Sequence, residues 1–128
     1  HLHSPGGSIF SALSIVDTMR SLDTDIHTYI DGSAASAATL IASSGTPGYR
    51  FSGANSFMLV HQPQIEWAGK LDEFMDEIQN QEALYEKIKD IYLKNCKIKS
   101  KKLDELLQHE LWLSADKCKE IGLIDQIL

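Results

Sequence analysis

An α/β fold built from parallel crossover units is what this sequence predicts, and three observations predict it. Short apolar-alternating runs, at 26–30 and 57–60, are separated by segments whose apolar residues recur every three to four positions. Turn-forming clusters punctuate these segments at Ser4-Pro5-Gly6-Gly7, Thr46-Pro47-Gly48 and Gly53-Ala54-Asn55-Ser56. Strand, helix, strand, helix, strand in succession is the order that crossover connections between parallel strands require. The 128 residues suffice for one domain, residues 1–128, with a core of its own.

Taken in order, His1-Leu2-His3-Ser4 reads as the end of a strand entering the Gly6-Gly7 turn. No strand of ordinary length fits ahead of that turn, so earlier elements are expected outside this sequence. Ile9, Leu13, Val16 and Met19 then mark a helix that Ser8 is placed to cap, and Leu22-Asp23-Thr24-Asp25 ends it. Residues 26–30 form a strand ending at Gly32, and 36–43 a small-residue helix stopped by Gly45. Residues 49–51 and 57–60 are short strands. Leu71, Phe74, Met75, Ile78, Tyr85, Ile88 and Tyr92 define one face of a long helix over 71–95, which is expected to project from the body or meet another subunit. Ser100 is placed to cap a short helix carrying Leu103, Leu106 and Leu107. Ser114 is placed to cap a last helix over 115–121, and 123–128 reads as a closing strand.

Composition narrows the function. The net charge is −6 with no basic stripe, which gives nucleic acid no footing. Cys96 and Cys118 fall on predicted helices without ligand spacing and read as reduced structural thiols. No apolar run approaches the roughly 18 residues of a membrane span, and none resembles a signal peptide.

The chemistry concentrates at Asp31-Gly32-Ser33-Ala34-Ala35-Ser36-Ala37-Ala38. A strand-to-helix crossing in small residues points a hydroxyl outward at a helix start, where free amides favour developing negative charge. The flanking alanines clear space for a substrate backbone around Ser36. His61 ends another strand, before Gln62-Pro63, and supplies the base that a serine nucleophile needs. Gly6-Gly7 offers a turn whose amide, with that of Ala37, forms an oxyanion hole. His3, His27 and His109 read as ordinary surface or strand residues, and the scattered histidines make no zinc spacing. The residues thus describe a serine hydrolase. Its orienting acid is not separable by spacing from the other carboxylates.

These same residues carry a family likeness. Ser4-Pro5-Gly6-Gly7, Gly32-Ser33-Ala34-Ala35-Ser36, Arg50-Phe51, Asn55-Ser56, His61-Gln62-Pro63, Leu113-Ser114-Ala115 and Gly122-Leu123-Ile124-Asp125 resemble the Clp protease proteolytic subunit, in order and nearly without gaps. The wider crotonase-like clan, with signal peptide peptidase A and the prohead proteases, matches less well. The resemblance implies a crotonase-like fold of repeated ββα units with a protruding handle helix, residues 64–97 being the handle region. It implies a missing N-terminal axial segment, Ser36 as nucleophile, His61 as general base, and Gly7 and Ala37 as oxyanion amides. Gly6, Gln62, Pro63 and Ile65 would line the substrate path.

The third triad position falls on Glu110, where the family normally has aspartate, and Ile65-Glu66 stands where it usually has a Gly-Gly pair. The resemblance further implies an ATP-dependent serine endopeptidase without a cofactor, acting on unfolded polypeptides. Stacked heptameric rings, homo- or hetero-oligomeric, and a partner AAA+ unfoldase belong to the same expectation, with no nucleic acid or membrane. The compartment would be the cytoplasm, or an organelle matrix or stroma where a targeting segment precedes. A weak or inactive ring subunit is the alternative, and an acyl-thioester hydratase or isomerase makes poor use of Ser36 and His61.

Overall fold

The computed structural model describes residues 1–64 and 66–128. Its order is β1 (Leu2–Ser4), α1 (Ile9–Ser21), β2 (Thr28–Ala35), α2 (Ala37–Ser43), β3 (Arg50–Ser52), β4 (Phe57–Leu59), α3 (Leu71–Asn95), α4 (Ser100–Leu107), β5 (Trp112–Ser114), α5 (Ala115–Glu120) and β6 (Gln126–Ile127). The chain is therefore mixed α/β, as its alternation of periods predicts.

The strands β1, β3 and β4 pair in parallel with β2, and β6 pairs in parallel with β3. Alone among the described pairings, β5 runs antiparallel, against β4, a strand that the sequence reading did not place. The strand β2 also starts later and runs further than 26–30, through Gly32 to Ala35, because β3 takes its first three residues and β4 its last three. Between those partners the ladder is interrupted, and the buried Ser56 hydroxyl fills the gap. It accepts from Gly32 N–H at 2.9 Å and donates to Ile30 C=O at 3.0 Å. A side chain thus does for one step what a backbone would otherwise do.

Alternation sorts the two sheet faces. Thr28, Ile30, Arg50 and Ser52 are buried beneath the helices. On the other face His1, Tyr29 and Phe51 stack across three strands, with centroids 4.7 Å apart at each step. The core gathers Val16, Leu40, Met58, Val60, Leu103, Leu107 and Leu123. Burying side chains of this size contributes about 1.5–3 kcal/mol each.

Several boundaries shift from expectation. Ser8 and Ser114 cap α1 and α5, accepting from Ser11 N–H at 3.3 Å and Lys117 N–H at 3.4 Å. Ser100 does not cap α4; it is the first helical residue, and Lys99 occupies the cap. Gly45 follows Ser44 at the end of α2 and is needed for room instead, since a Cβ there would lie 2.7 Å from Thr28 Oγ1. The closing strand shrinks to Gln126–Ile127, because Leu123 and Ile124 turn inward as core residues. Both cysteines are free and buried, and burial pushes the thiols up to about 11 for Cys96 and about 12 for Cys118.

The helix α3 matches its predicted span. Only Ile88, Ile91 and Tyr92 are buried on it, whereas Leu71 is 74% exposed and Met75 51%. Its second half therefore anchors to the body while its first half stands away. No helix among the described residues is long and apolar enough to cross a membrane.

Candidate active site

The site assembles because β1, β2 and β4 run parallel and end at one edge, where open α/β sheets collect their chemistry. Each strand delivers one piece: β1 the Gly6-Gly7 turn, β2 Ser36 and β4 His61. Ala35 pairs with Leu59, and Ser36 N–H donates to Leu59 C=O at 2.9 Å. That bond sets the serine beside the strand that leads to the imidazole.

Ser36 adopts φ 54° and ψ −129°, the only non-glycine residue with positive φ among the described residues. Such a backbone costs of order 1–3 kcal/mol and persists only where its surroundings hold it. Two buried groups hold it here. Thr39 donates both its N–H and its hydroxyl to Ser36 C=O, and the fully buried Tyr92 hydroxyl bonds Thr39 in turn. Burial drives the Tyr92 phenol well above its ordinary value, more than the Thr39 bond lowers it, so it stays neutral and able to donate. An anchor on α3 thereby fixes the turn between β2 and α2, a link that the helical stripe through Tyr92 gave no means of finding.

Gly6 packs directly against this elbow. A Cβ on it would fall 2.7 Å from both Ala35 O and Ser36 Cβ, and its φ is +102°. Its N–H donates to Ser4 Oγ at 3.1 Å. Gly7, at φ +143°, has open space around it. Ala37 opens α2, so its N–H has no acceptor within that helix. Gly7, Ser36, Ala37, His61, Pro63 and Gln64 all border one cavity of about 310 Å³. Leu40, Leu84, Ile88 and Tyr92 make its apolar wall, with Gln81 at its side.

The position of Glu110 follows from register. Met58 faces Leu113 and Leu59 faces Trp112 in the antiparallel β4–β5 pair, so continuing the count sets His61 opposite Glu110. Past the end of that ladder, Gln62 N–H donates to Leu107 C=O at 2.9 Å, a contact outside the register that ties the segment after β4 to the end of α4. His61 Nδ1 stands 3.6 Å from Glu110 Oε1, an ion-pair separation beyond hydrogen-bond length. The imidazole is 13% exposed and the carboxylate 66%. No hydrogen bond joins Ser36 to His61 among the described residues, although both face the same cavity.

The structure therefore brings together Gly6, Gly7, Ser36, Ala37, His61, Pro63 and, by register, Glu110. Gln62 is exposed and borders a neighbouring cavity with Pro63, Ile78 and Tyr85. Ile65 lies outside the described residues. His3 donates through Nδ1 to Asp31 C=O at 2.7 Å, and His27 stacks on Tyr49 at 4.3 Å, so both serve the sheet surface away from this cavity. Sequence reasoning gave no role to Thr39 or Gln64 and none in bracing the strand and elbow to Ser56 or Tyr92, whose contacts no local pattern encodes.

A family model for the Clp protease matches residues 1–128, the whole of the sequence. With that match over the full span, and the glycine turn, serine elbow and strand-end histidine converging on one cavity, this chain belongs to the Clp protease family, a family of peptidases.

Proposed function

We propose that the chain is the proteolytic subunit of an ATP-dependent Clp-type protease, a serine endopeptidase that cleaves unfolded polypeptides. His61 takes the Ser36 proton as Oγ attacks the peptide carbonyl, forming a bond to carbon and placing the negative charge on the former carbonyl oxygen. The amides of Gly7 and Ala37 hold that oxyanion; each such donor is worth about 3–4 kcal/mol in the transition state. His61 returns the proton to the departing amine, leaving an acyl-enzyme. Water, activated by the same imidazole, releases the acyl group. Glu110 orients the ring and stabilises its charged form. Pro63, with Gly6 and Gln62, lines the path of an extended substrate.

One observation carries this reading: a strained, non-glycine elbow presents Ser36 to a cavity that His61, Gly7 and Ala37 also border. Strain of that kind is kept where a nucleophile must stand clear of its own strand. The half-exposed α3, within the handle region 64–97 of a single domain, supports docking between stacked heptameric rings of a crotonase-like fold. An unfoldase would feed the chamber and bind the ATP itself.

The 3.6 Å gap at Glu110 favours a second reading, a weak or inactive ring subunit of the same fold. Unliganded catalytic contacts are often long and tighten on substrate binding. A serine-reactive fluorophosphonate separates the two. Labelling of the assembled protein that disappears in Ser36→Ala is the expected result. An assembled, folded ring that takes no label favours the inactive subunit.

A further inference from the structure

We propose that Gln64 is a positioning residue that clasps the Glu110 carboxylate beside His61, an inference that rests on the serine-peptidase reading above. Its Nε2 donates to Glu110 Oε1 at 3.1 Å, and this is the same oxygen that stands 3.6 Å from His61 Nδ1. An ionised carboxylate only accepts, so the amide nitrogen is the end of Gln64 that faces it.

The need for a clasp comes from the acid. Glu110 reaches from the turn between α4 and β5 with two-thirds of its side chain in solvent. A free glutamate loses rotamer entropy when it is held in one geometry. Gln64 removes part of that freedom before the imidazole is charged. It is well placed to do so, because it borders both the Ser36 cavity and the adjoining one, of about 680 Å³, that His61 and Glu110 share. The step from Val60 to Gln64 carries it past the ring, and the Gln62–Leu107 backbone bond sets its distance from the α4 end.

The test compares the second-order rate of fluorophosphonate labelling at Ser36, and kcat and KM for a short peptide, among assembled full-length variants. Gln64 is exposed, so Gln64→Ala and Gln64→Glu are expected to fold, which thermal melting checks. Gln64→Ala should lower the labelling rate and kcat about tenfold with KM unchanged, a fraction of the loss that a 1 Å misplacement brings. Gln64→Glu keeps the shape but repels Glu110, and should fall below Gln64→Ala. In a Glu110→Ala background, Gln64→Ala should change nothing further. Unaltered rates in Gln64→Ala, a change confined to KM, or the same loss without Glu110 would each overturn the clasp while leaving the serine reading intact. Wild-type protein that takes no label at Ser36 overturns the reading and the clasp together.

Discussion

At the scale of single residues, Gly6 and Gly7 separate two uses of one amino acid. Gly6 is where backbone meets backbone: a methyl group would have to displace Ala35 O and Ser36 Cβ, both at 2.7 Å, and neither belongs to a flexible tip. Gly7 faces open space, and only its φ of +143° disfavours a side chain. Gly6→Ala should therefore cost more stability than Gly7→Ala in chemical denaturation. It should also cut Ser36 labelling by about 100-fold or more, since it moves the elbow itself by an appreciable fraction of an ångström. Equal denaturation midpoints for the two variants would count against the close approach. Sequence alone marked both glycines as a tight turn after a strand, which their positive φ angles bear out. It did not rank them, since the ranking depends on what lies across the gap.

Elements matter through what they hold. The elbow between β2 and α2 is braced by Thr39, and Thr39 by Tyr92 on α3. Tyr92→Phe removes one buried hydrogen bond and should lower stability by about 1 kcal/mol. Thr39→Val takes the hydroxyl from Ser36 C=O and strands the buried phenol, which costs about 1–3 kcal/mol for the unsatisfied group alone. The valine variant should thus melt earlier and label more slowly than the phenylalanine variant; the reverse order would show that Tyr92 holds the elbow by a route other than Thr39. Helix spans were legible because periodicity over 71–95 is long and regular. The extent of β2 was not, because its second half, Gly32-Ser33-Ala34-Ala35, is made of small residues of low strand preference and forms a strand by pairing with β1 and β4. The antiparallel β5 escaped for a similar reason: three residues are too few for a period, and its partner is far away in sequence. With it went any means of picking Glu110 by register.

The whole molecule is fastened at Arg50, a nearly buried guanidinium. It donates to Asp125 through Nε at 2.8 Å and Nη2 at 2.7 Å, and through Nη1 to Asn95 C=O at 2.6 Å and Ser43 C=O at 3.3 Å. One side chain so joins β3, the ends of α2 and α3, and the closing segment. Burial alone would weaken the Arg50 charge, and its bonds to Asp125 outweigh that and raise it. The same bonds hold the Asp125 carboxyl below its ordinary value. A depressed carboxyl stabilises fully above its unfolded value of about 4 and ceases to stabilise as pH falls through the lower folded value. Wild-type stability should accordingly drop in acid below about pH 4, and in Asp125→Asn this part of the drop should vanish from the urea midpoint measured against pH. At pH 7 that variant should be less stable by about 3–5 kcal/mol, because Arg50 is left buried and unpaired. A melting profile parallel to wild type through the acid range would remove Asp125 from this role.

Residues 66–109 lie outside the sheet, yet the strands on either side of this excursion meet, since Leu59 and Trp112 face each other across β4 and β5. Its length is consequently uncoupled from the residues at its two ends. The outer turns of α3 should therefore behave as a detachable module, accepting trimming, extension or exchange for a foreign hairpin while His61 and Glu110 stay opposed. A single inserted residue just ahead of Trp112 has the contrary effect, sliding the acid off the histidine without disturbing the packed body.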